Sequence, residues 1–247
     1  MKRNYNKRLK RAVFKNLLYI LRMKIKLEKI TKKDIMSLDE RYKIAIKAID
    51  RFFRYTNTTV VPYGLENVPA DIKGGVFMSN HQGSADCITI FKSLENLVCA
   101  PLMAGDKEKD FYMGTIINFM KGEFIDLTNL RSQSKTYQRM ADNIETGVRY
   151  IIFPEAGFAD NKNDLQEFHS PCFQPAIKTR CPIIPVCLYD TYRVFKDPSL
   201  EHLFVECHFL EPIYYEKYQD LSRKELAQLV QERIQKKMDE IKAIKNA

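Results

Sequence analysis

GVFMSNHQGSADCITIF, Gly75 to Phe91, is the stretch on which the fold turns. Gly75–Asn80 is a short β-rich run, and a helical segment follows over Ile88–Leu94. Between them stand Asn80, His81, Gly83, Ser84 and Asp86, a polar window where a strand should feed straight into a helix. Two questions follow. One is which architecture repeats this strand-to-helix step, and the other is whether the polar residues do chemistry or only turn the chain.

The step does repeat outward along the chain. Residues 96–103, 122–127, 148–154, 182–190 and 203–212 are further β-rich runs, and helical segments at Tyr112–Met120, Ser132–Thr146 and Phe173–Thr179 lie between several of them. Such alternation predicts an α/β fold, a largely parallel mixed sheet covered by helices. A capping box at Ser222–Glu225 opens a terminal helix with Leu226, Leu229, Val230, Ile234, Met238 and Ile241 on one face. A chain of 247 residues suffices for one such domain and an appendage.

The appendage comes first. Residues 8–30 read as one long helix, with Arg8, Arg11, Lys15, Arg22, Lys26 and Lys29 inside one narrow arc. Phe14, Leu17, Leu18, Leu21 and Ile25 lie beside that arc, the pattern of a helix resting in a membrane interface. A second capping box, Ser37–Glu40, opens another helix carrying Tyr42, Ala45, Ile46, Ile49, Phe52 and Phe53. The pair predicts an N-terminal two-helix hairpin over residues 1–56 ahead of an α/β domain over 57–247. The boundary falls near Thr56–Tyr63, where β-branched residues and Pro62 replace the helical pattern.

Charge supports this division. The net charge is +9, yet residues 1–33 hold 13 Lys or Arg against one acid, Glu28, so the remainder is mildly acidic. An arm of this kind wants a polyanion. Its cations alternate with an apolar helix face and not with exposed aromatics or base-reading motifs, which favours an anionic membrane surface and argues against nucleic acid. No run is apolar enough to span a bilayer, and Arg22, Lys24 and Lys26 interrupt anything like a secretory signal. Six scattered cysteines without a CxxC pair fit a reduced, cytosolic-side protein.

On a continuous helix His81 and Asp86 would point about 140° apart. They can meet if His81 ends the strand, Gly83 lets the chain turn and Asp86 sits in the first helical turn. The carboxylate would then hold one imidazole nitrogen and leave the other free to accept a proton. Free N–H groups at the new helix would offer a place for an oxyanion. FPEAG, Phe153–Gly157, puts Glu155 where a strand opens onto the sheet's C-terminal edge, the edge at which ligands bind. PIIPV, Pro182–Val186, is an apolar strand entry. His169, His202 and His208 are scattered and form no metal motif, and no GxxxxGK phosphate loop is present.

In this order and spacing, these pieces resemble the 1-acyl-sn-glycerol-3-phosphate acyltransferase family. The family's NHxxxxD motif is matched by Asn80, His81 and Asp86, and its GxxFIDR-like strand in part by Gly122, Phe124, Ile125 and Asp126. FPEG is matched by Phe153, Pro154 and Glu155, and a PIIPV-like strand by Pro182–Val186. The resemblance implies transfer of a fatty acyl group from acyl-CoA or acyl carrier protein to a lysophospholipid hydroxyl, with no cofactor and no metal. His81 would be the general base and Asp86 its partner, with Asn80, Ser84, Glu155 and Gly157 near the substrates. The arm would bind the membrane through Arg8, Arg11, Phe14, Lys15, Leu18, Leu21, Arg22 and Lys26, as a peripheral or monotopic enzyme on the cytoplasmic face.

Three positions depart from the family pattern. Leu127 stands where an Arg is expected to meet the acceptor's phosphate, and Ala156 and Phe158 replace residues of the Glu-Gly-Thr/Ser-Arg pattern. Lys107, Lys121 or Arg131 would have to supply the missing charge, or the acceptor carries another head group. The rival reading is a membrane-surface lipid-binding protein of the same fold with an altered acceptor or lost catalysis.

Overall fold

The computed structural model describes residues 7–70, 72–109 and 113–246. Among them seven strands form one sheet: β1 (Thr58–Tyr63), β2 (Gly75–Ser79), β3 (Ala100–Ala104), β4 (Glu123–Ile125), β5 (Arg149–Ile152), β6 (Ile183–Tyr189) and β7 (Leu203–Phe209). Their order is β1-β7-β6-β2-β5-β3-β4, and every neighbouring pair is parallel except β6 with β7. This is the largely parallel mixed sheet that the alternation predicts. Thr58–Tyr63, read from sequence only as a boundary, is an edge strand, a place where Pro62 removes no needed hydrogen bond. The third strand starts at Ala100, four residues later than expected, because Leu97 is still turned back onto Leu94.

Eight helices complete the described chain: α1 (Lys7–Lys33), α2 (Leu38–Tyr55), α3 (Asp86–Ser93), α4 (Met113–Phe119), α5 (Leu130–Glu145), α6 (Gln174–Thr179), α7 (Arg193–Lys196) and α8 (Arg223–Asn246). Tyr112, expected to open α4, lies outside the described residues. Strand side chains alternate between two cores, as a period of two requires. Phe77, Ile151 and Ile184 face Tyr42, Phe53, Ile90 and Phe119 of α2, α3 and α4. Val76, Met78, Tyr150 and Ile152 face Tyr137, Ala176, Val230 and Ile234 of α5, α6 and α8.

The N-terminal pair forms as its signals predict. Ser37 and Glu40 close the capping box reciprocally, with Ser37 N donating to Glu40 Oε2 at 2.8 Å. The two helices are nonetheless built onto the sheet, since Leu27 and Ile30 of α1 join the same apolar cluster as α2, β2 and β6. No described helix is long and apolar enough to cross a membrane.

Arg8 corrects the expected basic stripe. It is 1% exposed, and its guanidinium donates to the carbonyls of Thr56, Asn57, Ser199 and Glu201. Those carbonyls gather where β1 and β7 begin, and Arg8 ties them together there, so it serves the fold. Because β1 and β7 run against the other five strands, their starts share an edge with the ends of β2, β5 and β6. Helix α1 therefore sets out from that edge.

Connections also reverse direction there. The path from β2 to β3 passes over β5 to one side, and the path from β5 to β6 passes over β2 to the other. Between β2 and β5 lies a topological switch point, where an α/β sheet opens a crevice at its strand ends.

Candidate active site

The polar window is the whole connection between β2 and α3, and it closes on itself. His81 Nδ1 lies 2.7 Å from Asp86 Oδ2. Asp86 is 0% exposed. Its Oδ2 also accepts the backbone N–H of Gln82 at 2.5 Å and of Gly83 at 2.8 Å, and its Oδ1 lies 2.6 Å from the Thr191 hydroxyl. A carboxylate with this many donors is held in one orientation. It keeps a proton on Nδ1 and leaves the lone pair of Nε2 outward. Among the described residues nothing hydrogen-bonds to Nε2.

One sequence expectation changes here. Gly83 needs no left-handed backbone, and a Cβ on it would meet Tyr192 Cα at an ordinary 3.7 Å, so its contribution is its N–H. That N–H and the one on Gln82 lie ahead of α3 and point at Asp86.

Aromatic rings wall the imidazole. Phe153 stacks on His81 with centroids 4.3 Å apart, and Phe158 meets its edge at 4.7 Å. Glu155 follows β5 at the same edge and is 6% exposed. Its Oε2 accepts from Gln166 Nε2 at 2.7 Å, while Oε1 is buried without a hydrogen-bond partner. Burial pushes its carboxyl up to about 7, against the opposing pull of Gln166 and His81. Ala156 sits at φ 55, a left-handed conformation that glycine adopts without cost, which explains why Gly is the common residue there.

The remaining expected site residues divide. Asn80 is buried with its amide committed to β6: Nδ2 donates to Leu188 O at 3.0 Å, and Oδ1 accepts from Leu188 N at 2.8 Å. It positions backbone and is not turned to a ligand. Ser84 and Gly157 are exposed, and nothing lies within 4 Å of a Cβ built on Gly157. Lys107 follows β3 at the reactive edge, though its side chain lies outside the described residues. Arg131 is exposed in the first turn of α5, after β4. Lys121 does not join them. It precedes β4, at the opposite edge of the sheet, and pairs with Asp34 at 3.2 Å.

Sequence reasoning missed Gln82, Asn163, Gln166 and Thr191. Gln82 Nε2 donates to Asn163 Oδ1 at 2.9 Å, and its Oε1 accepts from Thr191 N at 3.0 Å. Gln82 and Thr191 had a usable signal, since each lies just past the end of a parallel strand, as His81 and Glu155 do.

Known proteins share this arrangement of elements. Residues 59–189 match the family described as Acyltransferase. The chain is 27% identical over 165 residues to a chloroplastic 1-acyl-sn-glycerol-3-phosphate acyltransferase of Brassica napus, covering 62% of this chain and 45% of that protein. A 1-acyl-sn-glycerol-3-phosphate acyltransferase of Chlamydomonas reinhardtii is 24% identical over 164 residues, covering 64% and 48%. The chain thus spans less than half the length of these curated relatives. Among solved structures, the 1-acyl-sn-glycerophosphate acyltransferase of Thermotoga maritima aligns with a TM-score of 0.66 at 22% identity, covering 94% of this chain and 98% of that one. That likeness speaks for the fold, and the matched segment runs from the edge strand β1 to the end of β6, enclosing both His81 and Glu155. By that match, the chain belongs to the Acyltransferase family.

Proposed function

We propose that this chain moves a fatty acyl group from a thioester, acyl-CoA or acyl carrier protein, to the free hydroxyl of a lysophospholipid. The acceptor is 1-acyl-glycerol-3-phosphate, the substrate in the names of the relatives, and the product phosphatidic acid. One observation carries the reading: a His–Asp pair at the switch point with Nε2 open to an incoming hydroxyl.

His81 Nε2 takes the hydroxyl proton as the acceptor oxygen attacks the thioester carbonyl. Asp86, held by four donors, stabilises the imidazolium that forms. Collapse of the tetrahedral adduct breaks the carbon–sulfur bond, and the leaving thiolate recovers the proton from His81. Cys and Ser play no nucleophilic part, so the transfer is direct. Glu155, with one oxygen free, accepts a hydrogen bond from an acceptor hydroxyl and aligns it against His81. Arg131 and Lys107 follow strands that end at this edge, a placement from which they would meet the acceptor's phosphate.

Both lipid partners reside in a bilayer, and α1 offers the means to sit on one. Phe14, Leu18 and Leu21 are exposed beside Arg11, Lys15, Arg22 and Lys26. Each cation near an anionic leaflet contributes about 1 kcal/mol. The chain would act as a peripheral or monotopic protein of the cytoplasmic face.

The test combines purified protein, anionic vesicles, 1-acyl-glycerol-3-phosphate and each donor. His81→Ala should lose roughly a thousandfold in kcat while still binding vesicles. Transfer that survives in His81→Ala would sink the base assignment. Transfer by wild type to another lysolipid alone would make Leu127 and Phe158 the marks of a different acceptor. Vesicle binding without transfer to any acceptor would leave a lipid-binding protein of this fold.

A further inference from the structure

Thr191 and Asn163 lie outside every motif, yet they join the three segments that meet at the reactive edge. We propose that Thr191 is a positioning residue for the His81–Asp86 pair, and that Asn163 holds the loop bearing Glu155 and Phe158 against that pair. A single hydrogen-bonded frame then sets both the base and the wall facing the acceptor. The inference rests on the acyl-transfer reading above.

The frame is built from side chains after β2, β5 and β6. Gln82, after β2, donates from Nε2 to Leu188 O at 2.8 Å and to Asn163 Oδ1 at 2.9 Å. Its Oε1 accepts from Thr191 N at 3.0 Å. Asn163, in the loop after β5, also accepts from Asp190 N at 2.9 Å and donates from Nδ2 to Asp190 Oδ1 at 2.8 Å. Asp190 is bent into the left-handed region, φ 62, a conformation that persists only where its surroundings hold it. The next residue is Thr191, so this bend places the Thr191 hydroxyl 2.6 Å from Asp86 Oδ1 and 2.8 Å from Gln82 Oε1, and its one proton goes to the carboxylate, the stronger acceptor.

Each member has a distinct effect. Asp86 Oδ2 serves His81 and two backbone amides, while Thr191 donates to Oδ1. Without that donor a fully buried carboxylate oxygen is left unpaired, and the carboxylate is free to rotate away from Nδ1. The loop is different. Between β5 and the short turn at Ser170 it has no helix or strand, and Gln166 ties it only to itself, through Glu155 Oε2 and Gly157 O. Lys196 of α7 and Gln231 and Lys242 of α8 hold the loop from its outer sides, and Asn163 is the tie that joins it to the β2 and β6 segments beside His81. Its loss loosens Glu155 and Phe158 against His81, which weakens capture of the acceptor more than it weakens the base.

Kinetics at saturating donor, with acceptor varied, separate the two roles. Thr191→Val should lower kcat about 10- to 100-fold with the acceptor KM within about twofold of wild type. Thr191→Ser should restore kcat to within about threefold, because only the hydroxyl matters. Asn163→Ala should raise the acceptor KM about tenfold and lower kcat less than about threefold. A second readout needs no turnover: the downfield Nδ1 proton of His81 in 15N-histidine-labelled protein should shift or vanish in Thr191→Val and persist in Asn163→Ala.

Wild-type kcat and an unmoved Nδ1 proton in Thr191→Val would overturn the Thr191 assignment, as would a Ser variant as impaired as Val. An unchanged acceptor KM in Asn163→Ala would overturn the loop assignment. If Thr191→Val fails to fold, the Ser and Asn163 variants decide. Absence of transfer in wild type would instead count against acyl transfer, while the Nδ1 proton would still judge the frame.

Discussion

Helices α1 and α8 look alike in sequence, long and amphipathic, and the fold treats them in opposite ways. Helix α8 buries Leu226, Val230, Ile234, Met238 and Ile241 against the face of the sheet that carries Val76, Tyr150 and Cys187. Helix α1 sends Leu27 and Ile30 into the shared core with Met23 packed beside them, and leaves Phe14 84%, Leu18 71% and Ile25 66% exposed. Periodicity reveals that a helix has a face to cover, but not what covers it. An apolar row left open beside cations is the signature of a surface partner. The carboxylates at the site repeat the contrast. Asp86 has both oxygens engaged by the fold, whereas Glu155 keeps one oxygen buried and unpartnered.

The largest effect should come from the covered helix. Ile234→Ala should cost about 2–5 kcal/mol, read by urea unfolding, because its cavity sits in a packed core. Leu18→Ala should change stability by less than about 0.5 kcal/mol. Equal losses would erase the contrast between the helices.

Glu155 comes next. Its carboxyl loses a proton near 4.5 in the unfolded chain and at about 7 in the folded one. Between those values the folded state holds the proton more tightly, so stability should fall by about 3 kcal/mol as pH rises across that window. Glu155→Gln should flatten this slope, and unfolding curves at pH 5 and pH 8 would show it. A slope that survives in the variant would mean that another group titrates.

A smaller effect belongs to the open face. Leu18→Ser should weaken vesicle binding about tenfold, the consequence of withdrawing one exposed leucine from a bilayer. Co-sedimentation that is unchanged would leave the face of α1 without its lipid partner.

The smallest separates two arginines three residues apart. Arg11→Gln should lower binding to anionic vesicles about fivefold, leave neutral vesicles unaffected and spare stability. Arg8→Gln should instead destabilise the protein, because the buried guanidinium that ties four backbone carbonyls together is lost. If Arg8 and Arg11 behave alike, the burial that distinguishes them does not hold in solution.

Much of the site was legible where residues are close in the chain. His81 and Asp86 are five apart, and a strand-to-helix turn is enough to bring them together. Glu155 was legible because a strand ends just ahead of Pro154, and such ends share one edge in a parallel sheet. Lys121 shows the opposite failure. Its charge made it a candidate, but it enters β4 at the far edge and binds Asp34. Arg8 failed for a related reason, since a helical wheel counts angles and cannot see the carbonyls that lie beside one end of the helix.

By itself the sequence determined the alternating elements, both capping boxes, the basic arm and the His–Asp spacing, because each depends on residues within a few turns of one another. Only the tertiary structure decided which amphipathic helix was covered, where Arg8 went, and that Thr191 meets Asp86 from 105 residues away. Strand order makes those contacts, and strand order is a global compromise among burial, handedness and backbone pairing that no local pattern encodes.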